Sequence, residues 1–358
     1  MKIKESDYGE AIKRIIKSVP AFHILAGKRV LITGASGMVG TVIVDSLMLA
    51  NQLYGYNIQI FAMGRSAEHA KKSFSEYFDN GNFHFVIADV NLELPEMGNF
   101  DYVIHAASNT HPVAYSQDPI GTITANVLGT YNLLEYMVKH PVRRFVFLST
   151  VEIYGENRGD IEKFSEEECG YLDCNTLRAG YPEGKRVGES LCCAYEKQYG
   201  IDVIIPRLCR LYGPTMSWED SKAIAQFIKK AVCHENIVLK SEGNQYYSYL
   251  FVIDAVSAIF KVMLEGQKGQ AYNIASEGSN ICLKDLAEKL AVLGESRVVF
   301  ELPDEVERSG YSKATKALLD NRKLRQLGWQ EQYTLDEGLI MSVKILRNIN
   351  KESRRGML

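Results

Sequence analysis

Tyr181 and Lys185 are the residues of this chain best fitted by type and spacing to do chemistry. They stand four apart in YPEGKRVGES, residues 181–190, a segment with a helical pattern. Positions i and i+4 share one helix face, so the phenol and the ammonium point the same way. A phenol ionises near pH ~10 and is a poor base at neutral pH, and a fixed cation beside it favours the phenolate. Bringing its pKa to about 7 takes roughly 4 kcal/mol of differential stabilisation, at ~1.4 kcal/mol per unit. Such a pair suits proton transfer with an alcohol or sugar hydroxyl. The same spacing occurs on plain solvated faces, so its meaning depends on what the rest of the chain brings to it.

The elements that must position the pair read as alternating strands and helices. Apolar runs predict strands at 29–33, 58–62, 83–88, 101–105, 144–149 and 202–206, and helices at 38–53, 66–78, 119–139 and 182–199. Continuous apolar strands alternating with helices argue for an α/β fold, a Rossmann-like doubly wound parallel sheet covered on both faces. The first strand runs into TGASGMVG, residues 33–40, where Gly34, Gly37 and Gly40 have GxxGxxG spacing. Glycines there allow a tight turn and close approach of a pyrophosphate, and the helix N-terminus favours the anion. Ser36, Met38 and Val39 complete the expected dinucleotide loop, and Asp89-Val90 after the third strand is the expected meeting point with an adenine; a turn aspartate is the plainer reading of Asp89. The acid that would accept an NAD ribose hydroxyl about 20 residues past the glycines is missing. The second strand ends instead in Ala62-Met63-Gly64-Arg65-Ser66, and Arg65 is the candidate for a 2′-phosphate. NAD and NADP both stay open as the cofactor.

The 358 residues divide in this reading into an N-terminal helical extension (1–26), a dinucleotide-binding domain (27–206) with a returning segment near 246–266, a smaller mixed α/β lobe (207–345) that is mainly substrate-binding, and a tail (346–358). Residues 5–19 carry Ile12, Ile15, Ile16 and Val19 on one helical face, before Pro20. The net charge of −3 gives no electrostatic footprint for nucleic acid. No apolar stretch approaches the ~18 residues of a membrane span, and the N-terminus lacks the apolar core of a signal peptide. Seven cysteines without CxxC spacing read as reduced thiols in a cytoplasmic protein, with no metal site.

At this point the residues resemble the extended short-chain dehydrogenase/reductase family, in its NAD-dependent epimerase/dehydratase branch. TGASGMVG, HAAS (105–108), NVLGTYNLLE (126–135), STVEIYG (149–155), YPEGK (181–185), PRLCRLYGP (206–214) and LGW (327–329) stand in the family's order over about 27–345. YPEGKRVGES and CAYEKQYG look most like UDP-glucuronate decarboxylases. The resemblance implies a nucleotide-diphosphate sugar as substrate, with Tyr181 as base on the sugar C4 hydroxyl and Lys185 on the nicotinamide ribose. It implies Thr150 on the same hydroxyl, Asn126 as support from the neighbouring helix, and Ala106 and Ala107 at the cofactor. Glu152 matches a glutamate that works near C5. After oxidation at C4 the family diverges into decarboxylation, epimerisation or dehydration. A homodimer through helices 119–139 and 182–199 is implied in the same way.

Several positions depart from the family's pattern. Val151 stands where a dehydratase carries an acid and decarboxylases usually carry Ser. Tyr247 stands where an Arg commonly meets the diphosphate, and Arg210 where an Asn is usual. Arg210 is expected either to supply the missing guanidinium to the diphosphate or to make a structural salt bridge. Two further readings remain: an NADPH-dependent reductase of a nucleotide-linked sugar, motivated by Arg65, and a non-enzymatic dinucleotide sensor, which would need the glycine loop but not the catalytic pair.

Overall fold

The computed structural model describes residues 6–108, 110, 115, 117–301 and 315–355. The strands of the first half are β1 (Arg29–Thr33), β2 (Gln59–Gly64), β3 (Phe83–Ile87), β4 (Tyr102–His105), β5 (Arg144–Phe147), β6 (Ser149–Thr150) and β7 (Val203–Leu208). They lie in the order β3-β2-β1-β4-β5-β7, with β6 also paired to β7, and every pairing is parallel. Strand order therefore reverses between β1 and β4, the place where open α/β sheets hold their ligands.

Alternation along each strand fills two separate cores. Val30, Ile32, Ile60, Tyr102, Ile104 and Val146 join one cluster, and Leu31, Val103, Phe145, Phe147 and Val203 join the other. The first cluster takes α1 (Ser6–Ser18), α2 (Met38–Tyr54) and α3 (Ala67–Phe74); the second takes α4 (Pro119–Lys139) and α5 (Gly180–Tyr199). Burying both faces is why these strands read as unbroken apolar runs. Helix α4 starts where Asp118 accepts from the Gly121 amide at 2.9 Å and Pro119 fills the first turn.

The N-terminal helix belongs to the core. Ile12, Ile15, Ile16 and Val19 are all buried, and α1 packs on α2. Tyr8 donates to Asp45 Oδ2 at 2.6 Å and Tyr77 donates to Asp45 Oδ1 at 2.8 Å. One carboxyl in α2 thus ties the extension to the segment that follows α3.

The second half adds β8 (Arg210–Tyr212), α6 (Ala223–Val232), β9 (Ile237–Leu239), β10 (Tyr246–Phe251), α7 (Val252–Glu265) and β11 (Gln270–Ile274). Strand β11 pairs in parallel with β7 and closes the eight-stranded sheet, and α7 packs on α1 and α2. The return to the large sheet is thus α7 and β11, while residues 246–251 belong to a smaller sheet. That sheet joins β10 to β8, β12 (Asn280–Cys282) and, past α8 (Leu283–Leu293) and β13 (Val298–Phe300), to β14 (Lys316–Ala317). Helices α9 (Arg322–Gln326) and α10 (Leu335–Arg355) follow. Between them Trp329 donates to Ser257 at 2.9 Å, and Asp254 of α7 accepts from the amides of Gln332 at 2.9 Å and Tyr333 at 3.2 Å. Among the described residues no helix is long and apolar enough to cross a membrane, and no three His, Cys, Asp or Glu side chains are grouped to hold a metal ion. The seven cysteines are free thiols.

Burial raises the Asp45 carboxyl from 3.8 to about 6, against the opposing hydrogen bonds of Tyr8 and Tyr77. A folded-state value above the unfolded one contributes stability below pH 3.8 that is lost as pH rises through about 6. Asp45→Asn removes this titration. In urea unfolding, the stability of Asp45→Asn relative to the unsubstituted protein should grow between about pH 4 and about pH 7, by up to about 3 kcal/mol. A difference independent of pH would show that burial leaves the Asp45 pKa at its unfolded value.

Candidate active site

The glycine loop between β1 and α2 is shaped by close approaches that a side chain would block. Gly34 has φ +64°, and a Cβ on it would lie 2.7 Å from the Ala107 backbone. A Cβ on Gly40 would lie 2.4 Å from the Gly34 carbonyl oxygen. The loop is thus pressed between Ala106–Ala107 and the first turn of α2. Thr33 Oγ1 lies 2.8 Å from His105 Nδ1 and accepts from the Ala107 amide at 3.2 Å, tying the ends of β1 and β4 together. Burial, with the Lys185 charge adding, lowers His105 to about 3, so its imidazole is neutral. Gly37 caps α2 without a side-chain bond. The open amides of Ser36, Met38 and Val39 and the absent Cβ atoms fit a dinucleotide pyrophosphate.

The remaining expected cofactor residues line the same sheet edge. Asp89 Oδ1 accepts from the Asn91 amide at 2.9 Å, an Asx turn. Val90 is buried against α4, where a Cβ on Gly129 would lie 2.8 Å from Val90 Cγ2. Arg65 is exposed just past the end of β2. Asn126 is fully buried; its Nδ2 donates to the Thr122 carbonyl at 2.7 Å and its Oδ1 accepts from Ser108 at 3.0 Å. It fixes the loop that follows β4.

Thr150, Glu152, Tyr181 and Lys185 come together where β6 meets α5. Thr150 stands close enough to the Tyr181 phenol to favour its ionised form, and its Oγ1 accepts from the Glu152 amide at 3.3 Å. Lys185 donates to the Leu148 carbonyl at 2.7 Å and lies 4.6 Å above the Phe147 ring. That ring fits under α5 because position 188 is glycine: a Cβ there would lie 2.4 Å from Phe147 Cζ. Burial lowers Lys185 to about 8, opposed by Glu189. Burial pushes the Tyr181 phenol up; Glu152 adds to the rise, while Thr150 and the Arg178 charge oppose it. The spacing predicts a phenol drawn down by its lysine, but exclusion of water outweighs every nearby charge. Val151 is buried in the 3-10 turn Val151–Tyr154 and presents no proton donor.

Behind Lys185 lies a buried network that motif reading misses. Glu189 continues the face of Tyr181 and Lys185, and it accepts from Arg207 Nη2 at 2.7 Å, Arg207 Nε at 3.1 Å and Ser149. Arg207 Nη1 donates to Tyr154 at 3.0 Å, and Tyr154 donates to Asn273 at 2.6 Å. The repeat of four from 181 to 189 is the signal that could have found Glu189.

At the sugar end, Arg210 lies 3.5 Å from the centroid of the Tyr247 ring, within cation–π range. Its Nη1 is buried with no hydrogen-bond partner, and Arg210 makes no ion pair among the described residues. Tyr247 also lies within reach of the charges on Glu152 and Arg178. Thr150, Glu152, Tyr181 and Lys185 thus gather where β6 meets α5, with Tyr247 and Arg210 in reach of Glu152, while the glycine loop, Arg65 and Asp89-Val90 follow the ends of β1, β2 and β3.

The chain is similar to known proteins in sequence and in fold. The model of the NAD dependent epimerase/dehydratase family matches residues 30–275. UDP-glucuronic acid decarboxylase 1 of Xenopus tropicalis is 30% identical over 326 residues, covering 89% of this chain and 72% of the relative. UDP-glucuronic acid decarboxylase 6 of Arabidopsis thaliana is 29% identical over 317 residues, covering 87% of this chain and 86% of the relative. In fold, the chain matches a dTDP-glucose 4,6-dehydratase from Streptomyces venezuelae solved with NAD and TYD bound, with a TM-score of 0.77, 23% identity and coverage of 90% and 98% of the two chains. It likewise matches a UDP-glucuronic acid 4-epimerase from Bacillus cereus in complex with UDP-glucuronic acid and NAD, with a TM-score of 0.74, 20% identity and coverage of 90% and 99%.

The Glu189–Arg207 pair has 12% side-chain exposure on each partner. Removing one partner of a buried pair leaves an uncompensated charge. Arg207→Met should therefore lower the unfolding free energy by roughly 3–5 kcal/mol in denaturant titration. A loss under about 1 kcal/mol, the size of a solvated surface pair, would show that Glu189 is hydrated.

Proposed function

The chain belongs to the NAD-dependent epimerase/dehydratase family, and from that premise we propose that it oxidises a nucleotide-linked sugar at C4 and then decarboxylates it, with UDP-glucuronate as the substrate read best. The observation that carries this reading is the meeting of Thr150, Tyr181, Lys185 and Glu152 beside a glycine cradle, with valine at position 151. When bound, the nicotinamide supplies a hydride acceptor. Tyr181 takes the proton of the C4 hydroxyl, Thr150 orients that hydroxyl, and Lys185 holds the cofactor's ribose. A 4-ketone next to a C5 carboxylate is a β-keto acid, which loses CO2 as its electrons pass into the C4–C5 enolate. Protonation at C5, return of the hydride to C4 and return of the Tyr181 proton to the C4 oxygen then close the cycle with no net change of cofactor. Glu152 stands near C5 for the proton movements there. Loss of water would need an acid on the leaving hydroxyl, and Val151 supplies none.

Arg210 is read as the guanidinium for the substrate diphosphate. Its missing ion-pair partner supports this over a structural salt bridge, and Tyr247 supplies the surface on which it rests. Arg65 leaves NADP open beside NAD.

Incubation with a nucleotide-sugar panel and either cofactor tests the reaction. Mass spectrometry should show loss of CO2 from UDP-glucuronate with no net consumption of cofactor. Tyr181→Phe should lower the rate at least about 100-fold. Arg210→Ala should raise KM with little change in kcat. No mass change with any sugar would overturn the reading, and stoichiometric oxidation of NADPH would replace it by a net reductase.

We also propose a homodimer through α4 and α5. Ile120, Leu128, Tyr131 and Val187 are exposed on this helix pair, an apolar face without cover in the single chain. Light scattering at micromolar concentration should give twice the chain mass, and Leu128→Glu should halve it; a monomer before substitution would sink the assignment.

A further inference from the structure

Arg178 is not among the residues the family pattern singles out, yet it touches the catalytic group from two directions. It lies three residues before Tyr181, in the 3-10 turn Leu177–Ala179. Its Nη2 is 2.7 Å from Glu152 Oε1 and 2.7 Å from Oε2, so it engages both carboxylate oxygens. Its guanidinium carbon lies 4.9 Å from the centroid of the Tyr115 ring. Tyr115 in turn stacks on Tyr181, with centroids 5.1 Å apart and planes 22° apart. The other terminal nitrogen, Nη1, is buried with no hydrogen-bond partner among the described residues. Among those residues, Glu152 and the Tyr115 ring hold this side chain.

The arrangement answers a conflict built into the site. Glu152 must stand near the sugar C5, which brings its negative charge close to Tyr181. A nearby anion opposes formation of the phenolate, and a nearby cation favours it. We propose that Arg178 is a positioning residue: it fixes Glu152 beside Tyr181 and cancels its charge there, so that one cleft holds a carboxylate and a phenolate base together. This rests on Tyr181 being the base of the proposed reaction. The other groups facing Tyr181 are Tyr115, with Asp220 beyond it, Lys185 one turn on in the same helix, and Tyr247 with Arg210 beyond Glu152. The Glu152 charge pushes the Tyr181 phenol upward and the Arg178 charge draws it down.

The test is a double-mutant cycle read by pH. The acid limb of kcat/KM for the first oxidation reports the ionisation of Tyr181. Arg178→Gln should move that limb upward by roughly one pH unit or more. Glu152→Gln should move it downward, Arg178→Lys should hold it near its starting place, and the double variant should fall back toward it. The same ionisation is read without turnover from phenolate difference absorbance of the NAD-loaded holoenzyme, where the cationic nicotinamide ring favours the phenolate, taking the spectrum of each protein minus that of its NAD-loaded Tyr181→Phe counterpart. That readout separates failure of the proposal from failure of the proposed reaction, because it needs no substrate. Should Arg178→Gln not fold, Glu152→Gln and Arg178→Lys carry the test. An unmoved phenolate titration in Glu152→Gln, or in folded Arg178→Gln, would overturn the proposal and leave Arg178 as a staple between two turns.

Discussion

A single ammonium group kept out of water sets much of what surrounds it. Lys185 is only 3% exposed, and a charge in that position has to be met by the protein. The Leu148 carbonyl, the Phe147 ring and Glu189 meet it. Each partner makes its own demand. The ring needs a glycine at 188 to slide beneath the helix, and Glu189 needs Arg207. Arg207 in turn reaches Tyr154, and Tyr154 reaches Asn273 in β11, at the edge of the large sheet. The last strand of the sheet is therefore linked by hydrogen bonds to Glu189, whose charge acts on the cation. Such a network is valuable only when fully satisfied, which ties residues distant in sequence to one another.

The sugar end of the cleft shows how a guanidinium can be relocated. Strands β8 and β10 run side by side, with Arg210 in register with Tyr249. In the proposed function, Arg210 on the neighbouring strand takes the part of the arginine missing from position 247, and Tyr247 is the surface against which it lies. A flat aromatic ring also fixes the plane of the guanidinium, and that plane decides which pair of oxygens it can meet.

The large sheet was legible because its strands bury both faces, and the glycine loop because its spacing belongs to one junction. Tyr181, Lys185 and Thr150 were legible as a motif. The phenol's environment was not: helix spacing gives a neighbouring charge but says nothing of how much water the fold excludes, and burial reversed the expected direction. Arg178 stayed hidden because its partner, Glu152, is 26 residues away and its ring partner, Tyr115, lies in a distant part of the sequence. The bond of Tyr8 to Asp45 spans 37 positions and has no local signature. In the small sheet, two-residue β14 is too short to carry a period, so only tertiary pairing defines it.

Strand β10 ends at Phe251 and helix α7 begins at Val252. No connecting residue stands between the element that carries Tyr247 and the helix packed against the floor of the dinucleotide fold. At this crossing the molecule has a rigid elbow in place of a hinge. Asp254, one turn into α7, also clasps the chain at Gln332 and Tyr333. In the proposed site, recognition at Tyr247 thus draws on shape set during folding, and little entropy remains to be lost there when a ligand arrives.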